Sequence, residues 1–108
     1  MDLELIVFAA LLAATVALLA YVIIRKRRGP GWMVAMVLLF LATGATATQG
    51  AKSQAVRVVD VFLYGPLLIY AGWAIRERHA TLYPLLVLLG ATTIAYNARN
   101  FAHEEWGW

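Results

Sequence analysis

The sequence predicts an all-α protein, a four-helix transmembrane bundle with its N-terminus and C-terminus both outside. Of the 108 residues, 63% are hydrophobic and only 14% are charged, whereas a soluble domain carries roughly 25% charged residues. The charges cluster between four long apolar runs, and the most basic clusters recur on every second connection. No hydrophilic stretch is long enough to fold alone, so residues 1–108 are expected to form a single polytopic membrane domain.

The first apolar run covers about residues 4–24, which is enough helix to cross a hydrocarbon core roughly 30 Å thick. It stops at four consecutive basic residues, and the Gly-Pro-Gly that follows them predicts a tight turn. The second run covers about residues 32–49, and its second half is rich in small and hydroxylated residues. Acidic residues precede the first run and basic residues follow it, an order that argues against a cleaved signal peptide.

The third run covers about residues 56–75 and contains Gly65-Pro66, where the proline removes a backbone hydrogen bond and predicts a helix kink. The fourth run covers about residues 81–98, with Pro84 in its first turn, where proline is tolerated. Aromatic residues fall near the ends of the runs, where an interfacial belt is expected. These residues are Trp32, Tyr83, Trp106 and Trp108.

Positive charge sets the predicted orientation. The connections after the first and third runs carry the basic residues Arg25, Lys26, Arg27, Arg28, Arg76 and Arg78. Because cytoplasmic loops carry an excess of Lys and Arg, these two connections are expected inside and both termini outside. The cluster of residues 25–28 is also expected to attract anionic lipid headgroups.

Asp60 stands at the head of the third run. The uncharged stretch that follows it, residues 61–75, spans only about 22 Å as a helix, so Asp60 is predicted to lie inside the membrane or at its boundary. An ionisable group there is costly and usually has a partner or a function. Arg57, one turn earlier, and Arg99, at the end of the fourth run, are the candidate partners, and an ion, a proton or a ligand is the alternative.

Polar side chains of three runs gather in the predicted outer half. The predicted structural, ion-binding or ligand-binding cluster comprises Arg57, Asp60, Tyr64, Tyr96, Asn97, Arg99 and Asn100. On the fourth run, helical spacing separates one stripe, Gly90, Thr93, Asn97 and Asn100, from a second, Thr92, Tyr96, Arg99 and His103. One stripe is expected to face the bundle interior, and the other to face water or a neighbouring subunit.

Small residues recur at helical spacing on two of the runs. Ala9, Ala13 and Ala17 share one face of the first run, and Gly65 and Gly72 share a face of the third. Stripes of this kind let helices approach closely. The spacing leaves open whether the contact is within one chain or between subunits.

The sequence excludes several kinds of chemistry. It has no cysteine, which rules out disulfides and thiolate sites. It has no phosphate loop, zinc-protease motif or nucleophile elbow, and we predict no catalytic residue, cofactor or metal site. His103, Glu104 and Glu105 do not point the same way on a helix, which makes them a poor ligand set. The basic residues flank apolar runs, so no nucleic-acid partner is expected.

Two motifs carry a resemblance to known proteins. They read DxFxxGPLLIYxG at residues 60–72 and GxTTIxYNxxNF at residues 90–101. Together they cover about the C-terminal half of the chain, which resembles short uncharacterised membrane proteins of large DNA viruses. The resemblance implies a location in a virion or host membrane and no established chemistry. It would make Asp60, Gly65, Pro66, Asn97 and Asn100 a matched set.

The function expected from these observations is that of a small, non-enzymatic, multi-pass membrane protein. It would act as a structural or assembly component in a homo-oligomer or a larger membrane complex, with the lipid bilayer as its surroundings. The alternative is a small ion channel or transporter whose polar outer vestibule is built around Asp60. The sequence specifies neither the membrane nor a transported ion.

Overall fold

The structure, a computed structural model, describes residues 2–47 and 53–107, and all regular structure in these ranges is helical. Helix α1 covers Leu3–Arg25, α2 covers Pro30–Ala45, α3 covers Gln54–Ala74 and α4 covers Leu82–Trp106. The predicted all-α class is confirmed. By length and composition, α1 and α3 are long and apolar enough to cross a membrane, and α2 is a shorter apolar helix.

Local signals in the sequence explain where the helices begin and end. The Asp2 carboxylate accepts a hydrogen bond from the Leu5 backbone N–H at 2.7 Å, which caps the first turn of α1. Helix α1 ends where Lys26 adopts a left-handed conformation with φ of 53°. Pro30 occupies the first position of α2, where its missing N–H costs nothing. The Ser53 hydroxyl caps α3 by accepting from the Val56 N–H.

Helix α3 contains one irregular turn. Two α-helical parts, Gln54–Val59 and Gly65–Ala74, flank a π-helical turn at Asp60–Tyr64. The Gly65 N–H donates to the Asp60 carbonyl across this turn, and Pro66 has no N–H to donate. The irregularity predicted from Gly65-Pro66 therefore takes the form of a π-helical turn through which the helix continues.

Helix α4 is longer than its apolar run. It continues past the predicted boundary near residue 98 to Trp106. It ends at Gly107, which adopts φ of 75° and donates its N–H to the His103 carbonyl at 2.9 Å. Hydropathy falls after Ala98, but Gly107 is the first strong helix-ending residue beyond that point, so the end of the apolar run underestimates the helix.

Helix α4 occupies the centre of the fold. It packs between α2 on one side and α3 on the other, and α1 packs mainly against α2. The helices form a flat layer with dimensions of 41 × 33 × 19 Å. The hydrophobic core contains the buried residues Val22, Met36, Phe40, Tyr83, Val87 and Ala91. The core therefore lies where α1, α2 and α4 meet, with α3 closing the other side of α4.

Glycines allow α4 to approach its neighbours closely. A Cβ at Gly90 would lie 2.6 Å from the Gly65 carbonyl oxygen, and one at Gly44 would lie 2.8 Å from the Thr92 carbonyl oxygen. A Cβ at Gly72 would likewise lie 2.8 Å from the Tyr83 carbonyl oxygen. Real side chains do not tolerate such distances, so these positions require glycine because of backbone contact.

Several polar side chains are buried beside the hydrophobic core, and many large apolar side chains are exposed. The buried polar and charged residues are Thr15, Thr43, Arg57, Asp60, Asn97 and Asn100. Large apolar side chains face outward on every helix, with Phe62 of α3 77% exposed. On α1, Thr15 is one of the two buried residues, and the other is Val22.

The aromatic residues predicted for an interfacial belt differ in their burial. Tyr83 is completely buried and meets Trp73 edge to face, with ring centroids 6.4 Å apart. It is thus a core residue, and its predicted place in an interfacial belt is wrong. Trp32 instead packs against Tyr21 near the end of the layer, at 5.1 Å. Thr48, Gln49 and Trp108 lie outside the described residues.

Candidate functional site

Two ends of the helical layer carry nearly all its charge. The basic end is the one formed by the connections at residues 26–29 and 75–81. The polar end is the opposite one, where α1 and α3 begin and where α2 and α4 end. The predicted polar cluster lies towards the polar end, but the structure divides it between the two faces of α4.

The first group joins the start of α3 to the last turns of α4. One guanidinium nitrogen of Arg57 donates to the Gln54 side-chain oxygen at 2.6 Å and to the Asn100 carbonyl at 3.3 Å. The Gln54 amide donates to the Phe101 carbonyl at 3.2 Å and to the Glu105 carboxylate at 3.1 Å. Arg57 and Gln54 therefore fasten α3 to α4 by hydrogen bonds that cross between helices.

Arg57 and Asp60 bring two opposite charges into this group. Arg57 is 4% exposed and Asp60 is 8% exposed, and they lie one helical turn apart on α3. A buried charge is stable only when it is paired or hydrogen-bonded. Asp60 also begins the π-helical turn, and its own carbonyl accepts the Gly65 N–H there. Tyr64, the last residue of that turn, is exposed and lies outside this buried group.

Gln54 is the functional residue that sequence reasoning missed. It is half-buried and makes hydrogen bonds to both helices. Its position just after a serine N-cap was available as a signal. The predicted boundary at residue 56, however, placed it in a loop.

The second group lies on the other side of α4, against α1 and α2. Tyr96 lines two adjoining clefts with Phe8 and Ala47. Arg99 lines a third cleft with Glu4 and Thr46. The stripe of Tyr96 and Arg99 thus faces α1 and α2 within the same chain.

Asn97 and Asn100 are both buried, and the side-chain amide nitrogen of each donates a hydrogen bond to a carbonyl of its own helix. The Asn97 amide nitrogen donates to the Thr93 carbonyl at 2.7 Å, and that of Asn100 donates to the Tyr96 carbonyl at 2.9 Å. The side-chain oxygen of Asn97 is buried and accepts no hydrogen bond from the described residues. Asn100 thus belongs with Arg57, whereas Asn97 reaches the cleft that Tyr96 lines.

The basic end is fastened by contacts between its two connections. Arg28 donates to the Glu77 carbonyl at 3.2 Å and lies 3.6 Å from the Glu77 carboxylate. The Arg27 guanidinium lies over the rings of Tyr21 and Trp32, at 5.8 and 5.6 Å from their centroids. The exposed Arg25 and Lys26 complete the cluster predicted to contact lipid headgroups.

The titratable side chains do not converge on one point. Among residues 2–47 and 53–107, no three His, Asp or Glu side chains are grouped so as to hold a metal ion. The polar groups described above act mainly as contacts between helices. In the described part of the chain, two places are left where an ion or a ligand can bind. One is the buried region around Arg57 and Asp60, and the other is the cleft that Asn97 lines.

Comparison with known proteins identifies no relative of this chain. No protein-family model, curated protein or solved structure matches it. The resemblance of the C-terminal half to viral membrane proteins therefore stays a prediction. The function has to be inferred from the helices and their contacts.

Proposed function

We propose that the chain is a multi-pass integral membrane protein that crosses the bilayer four times. The observation that carries this proposal is the large exposed apolar surface of all four helices, together with polar groups buried between them. Apolar side chains such as Phe62 face outward, whereas the buried positions of α1–α4 include Thr15, Thr43, Arg57 and Asp60. Lipid is the surrounding in which exposed Leu, Val and Phe cost nothing and in which polar groups must pair internally.

The four proposed spans differ in how well their apolar length matches the thickness of the bilayer. Helix α1 has 23 residues and α3 has 21, so each is long enough for a core roughly 30 Å thick. Helix α2 has 16 residues, or about 24 Å of helix, and such a span relies on local thinning of the bilayer. Helix α4 contributes its apolar first two-thirds, and its last turns would lie at the membrane surface.

The proposed orientation places the basic end in the cytoplasm and both termini outside. Contact between Arg28 and Glu77 holds the two basic connections together, as expected if both α2 and α3 cross the bilayer between them. The positive-inside rule then assigns the side. Exposed cations at residues 25–27 would lie at the level of anionic lipid headgroups.

Within the membrane, we propose a structural or assembly role in a homo-oligomer or a larger complex, and no catalysis. The polar side chains are used to fasten helices, and α1 leaves a face of small residues open. Ala9, Ala13 and Ala17 are exposed, opposite the face that packs on α2, whereas Gly65 and Gly72 are buried inside the chain. The alanine stripe is thus free for contact between subunits.

The oligomeric state in mild detergent tests this role. Ala13→Phe should shift the protein towards monomer, because the larger ring prevents close approach of two α1 helices. Ala14→Phe is the matched control, since Ala14 is also exposed but lies to one side of the stripe. A monomeric wild type, or equal effects of the two variants, would exclude a homo-oligomer formed through the alanine stripe.

A second candidate function is a small ion channel or transporter, and it rests on the buried Asp60. This carboxylate begins the π-helical turn, and π-turns occur frequently at functional sites. Because Pro66 has no N–H, the carbonyls one turn before it lack their usual donor and are suited to a cation. Asp60→Asn should then alter cation flux into liposomes while the protein stays folded. Absent flux in both forms would exclude this candidate.

A further inference from the structure

Two clefts between α1, α2 and α4 at the polar end share the lining residues Phe8, Ala47 and Tyr96. The outer cleft, about 470 Å³, is lined by Asp2, Glu4, Phe8 and Tyr96 among others. The inner cleft, about 340 Å³, is lined by Phe8, Tyr96 and Asn97 among others. Because Phe8 and Tyr96 line both, the two clefts adjoin, and the carboxylates of Asp2 and Glu4 lie at the mouth, in the outer cleft next to the one that Asn97 lines.

Asn97 brings to the inner cleft a side-chain oxygen that has no hydrogen-bond donor among the described residues. Its side chain is 1% exposed and lines this cleft. Its amide nitrogen is already used on the Thr93 carbonyl, and its oxygen accepts no hydrogen bond from the described residues. A buried polar atom left without a partner destabilises the fold, and such atoms are rare in folded proteins unless a water or a ligand binds them. The missing partner must be an N–H or O–H donor.

The surrounding charge indicates that this donor is cationic. Asp2 and Glu4 place two carboxylates at the mouth, against the single guanidinium of Arg99 beside Glu4. The rings of Phe8 and Tyr96 form walls suited to a cation. The side chains of Thr93 and Tyr96 add hydroxyl oxygens that can accept further hydrogen bonds.

We propose that this cleft binds a primary ammonium group, with one N–H donated to the Asn97 side-chain oxygen. The ammonium group can belong to a soluble amine or to the ethanolamine headgroup of a lipid. Both sources offer the same three N–H donors and the same charge. The lipid source rests on the proposed membrane location, whereas binding of a soluble amine does not.

Two matched amines test the proposal on the intact protein in mild detergent. Butylammonium carries three N–H donors, whereas butyltrimethylammonium has the same charge and chain and none. Tryptophan fluorescence during thermal unfolding should show stabilisation by butylammonium and little by butyltrimethylammonium. Equal stabilisation by both amines, or by neither, would overturn the proposal, because an ordered water alone would then satisfy Asn97.

Single substitutions test whether butylammonium binds in the cleft at Asn97. Asn97→Leu should lower the affinity for butylammonium about tenfold or more, the value of one hydrogen bond to a charged group. Asn100→Ala is the control, since Asn100 is equally buried on α4 but does not line the cleft. A response that survives Asn97→Leu, or that is lost equally in Asn100→Ala, would overturn the proposal.

A second variant keeps the test decisive if Asn97→Leu fails to fold. Asp2 and Glu4 are exposed, and asparagine caps a helix as well as aspartate does. The double substitution Asp2→Asn with Glu4→Gln should therefore fold and bind butylammonium several-fold more weakly. Unchanged binding in this variant would contradict the proposed site.

Nanodiscs distinguish the two sources of the ammonium group. If the lipid headgroup is the ligand, the wild-type protein should melt higher in phosphatidylethanolamine than in phosphatidylcholine, and Asn97→Leu should remove the difference. If a soluble amine is the ligand, butylammonium should stabilise the protein equally in both lipids. Failure of both arms would overturn the ammonium site but leave the four-span proposal untouched.

Discussion

The hydroxyl oxygens of Thr15 and Thr43 lie 2.5 Å apart and join α1 to α2. Each hydroxyl also contacts a backbone carbonyl of its own helix, Leu11 for Thr15 and Leu39 for Thr43. Thr43 lies 3.3 Å from the Leu11 carbonyl as well. Thr15 is a polar residue in the middle of the first apolar run, and it faces inward. This pair fixes which face of α1 packs on α2.

We expect the two threonines to be energetically coupled. Thr15→Val and Thr43→Val should each lower the melting temperature in detergent, and the double variant should lose less than the sum. The coupling should be about 0.5–1.5 kcal/mol, as for hydrogen bonds between helices in membrane proteins. Thr92→Val is the control, because Thr92 bonds only to carbonyls of its own helix. Strict additivity would show that the hydroxyl contact contributes nothing.

The contact between Gly90 and Gly65 predicts intolerance to the smallest side chain. Gly90→Ala should destabilise the protein by about 1–3 kcal/mol, since overpacking a tight contact forces backbone shifts. Gly31→Ala should be neutral or slightly stabilising, because a Cβ at Gly31 meets nothing within 4 Å and alanine favours helix. Melting temperatures in one detergent compare the two. Equal effects would mean that α3 and α4 are not in backbone contact.

Tyr83 carries a buried hydroxyl without a hydrogen-bond partner among the described residues. Tyr83→Phe should therefore leave stability unchanged or raise it by up to about 1 kcal/mol, since only an unpaired polar group is removed. Tyr83→Ala should cost about 3–5 kcal/mol, because it leaves a cavity in the core. A large loss of stability in Tyr83→Phe would indicate that the hydroxyl has a partner.

Arg57 and Arg99 should respond very differently to removal of their charge. Arg57→Met deletes hydrogen bonds to Gln54 and to the Asn100 carbonyl, and a buried bond to a charged group is worth about 1.5–3 kcal/mol. Arg99 is half-buried beside a cleft, so Arg99→Met should cost much less. Thermal unfolding of both variants measures the difference. A greater loss of stability in Arg99→Met than in Arg57→Met would contradict the conclusion that the Arg57 side chain holds α3 against α4.

Sequence patterns were sufficient to predict that the four helices exist and to place part of the polar cluster. Apolar runs predicted the existence of all four helices, because burial in lipid or core demands such runs. They could not predict where α4 ends, since that depends on Gly107. The rule for proline predicted a helix kink at Gly65-Pro66, but it could not predict the π-helical turn that the structure has at Asp60–Tyr64.

The division of the polar cluster was beyond sequence reasoning for a different reason. Helical spacing placed Asn97 and Asn100 on one stripe of α4, but the structure puts only Asn100 beside Arg57, and Asn97 lines the same cleft as Tyr96. It could not show that α1 and α2 cover one side and α3 the other, because that is decided by packing between helices. Tyr83 was assigned to an interface by its position near the end of a run. The approach of Trp73 and Gly72 instead buries it.

Cysteine accessibility tests the four-span proposal most directly, because the chain has no cysteine of its own. Single cysteines at Gly29, His79, Ser53 and Glu104 occupy the two ends of the layer, and one at Leu12 occupies the exposed face of α1. A membrane-impermeant maleimide applied from outside should label positions 53 and 104, and should label 29 and 79 only after permeabilisation. Position 12 should stay unlabelled in both cases. Labelling of position 12, or of 29 together with 53 from the same side, would contradict the proposal.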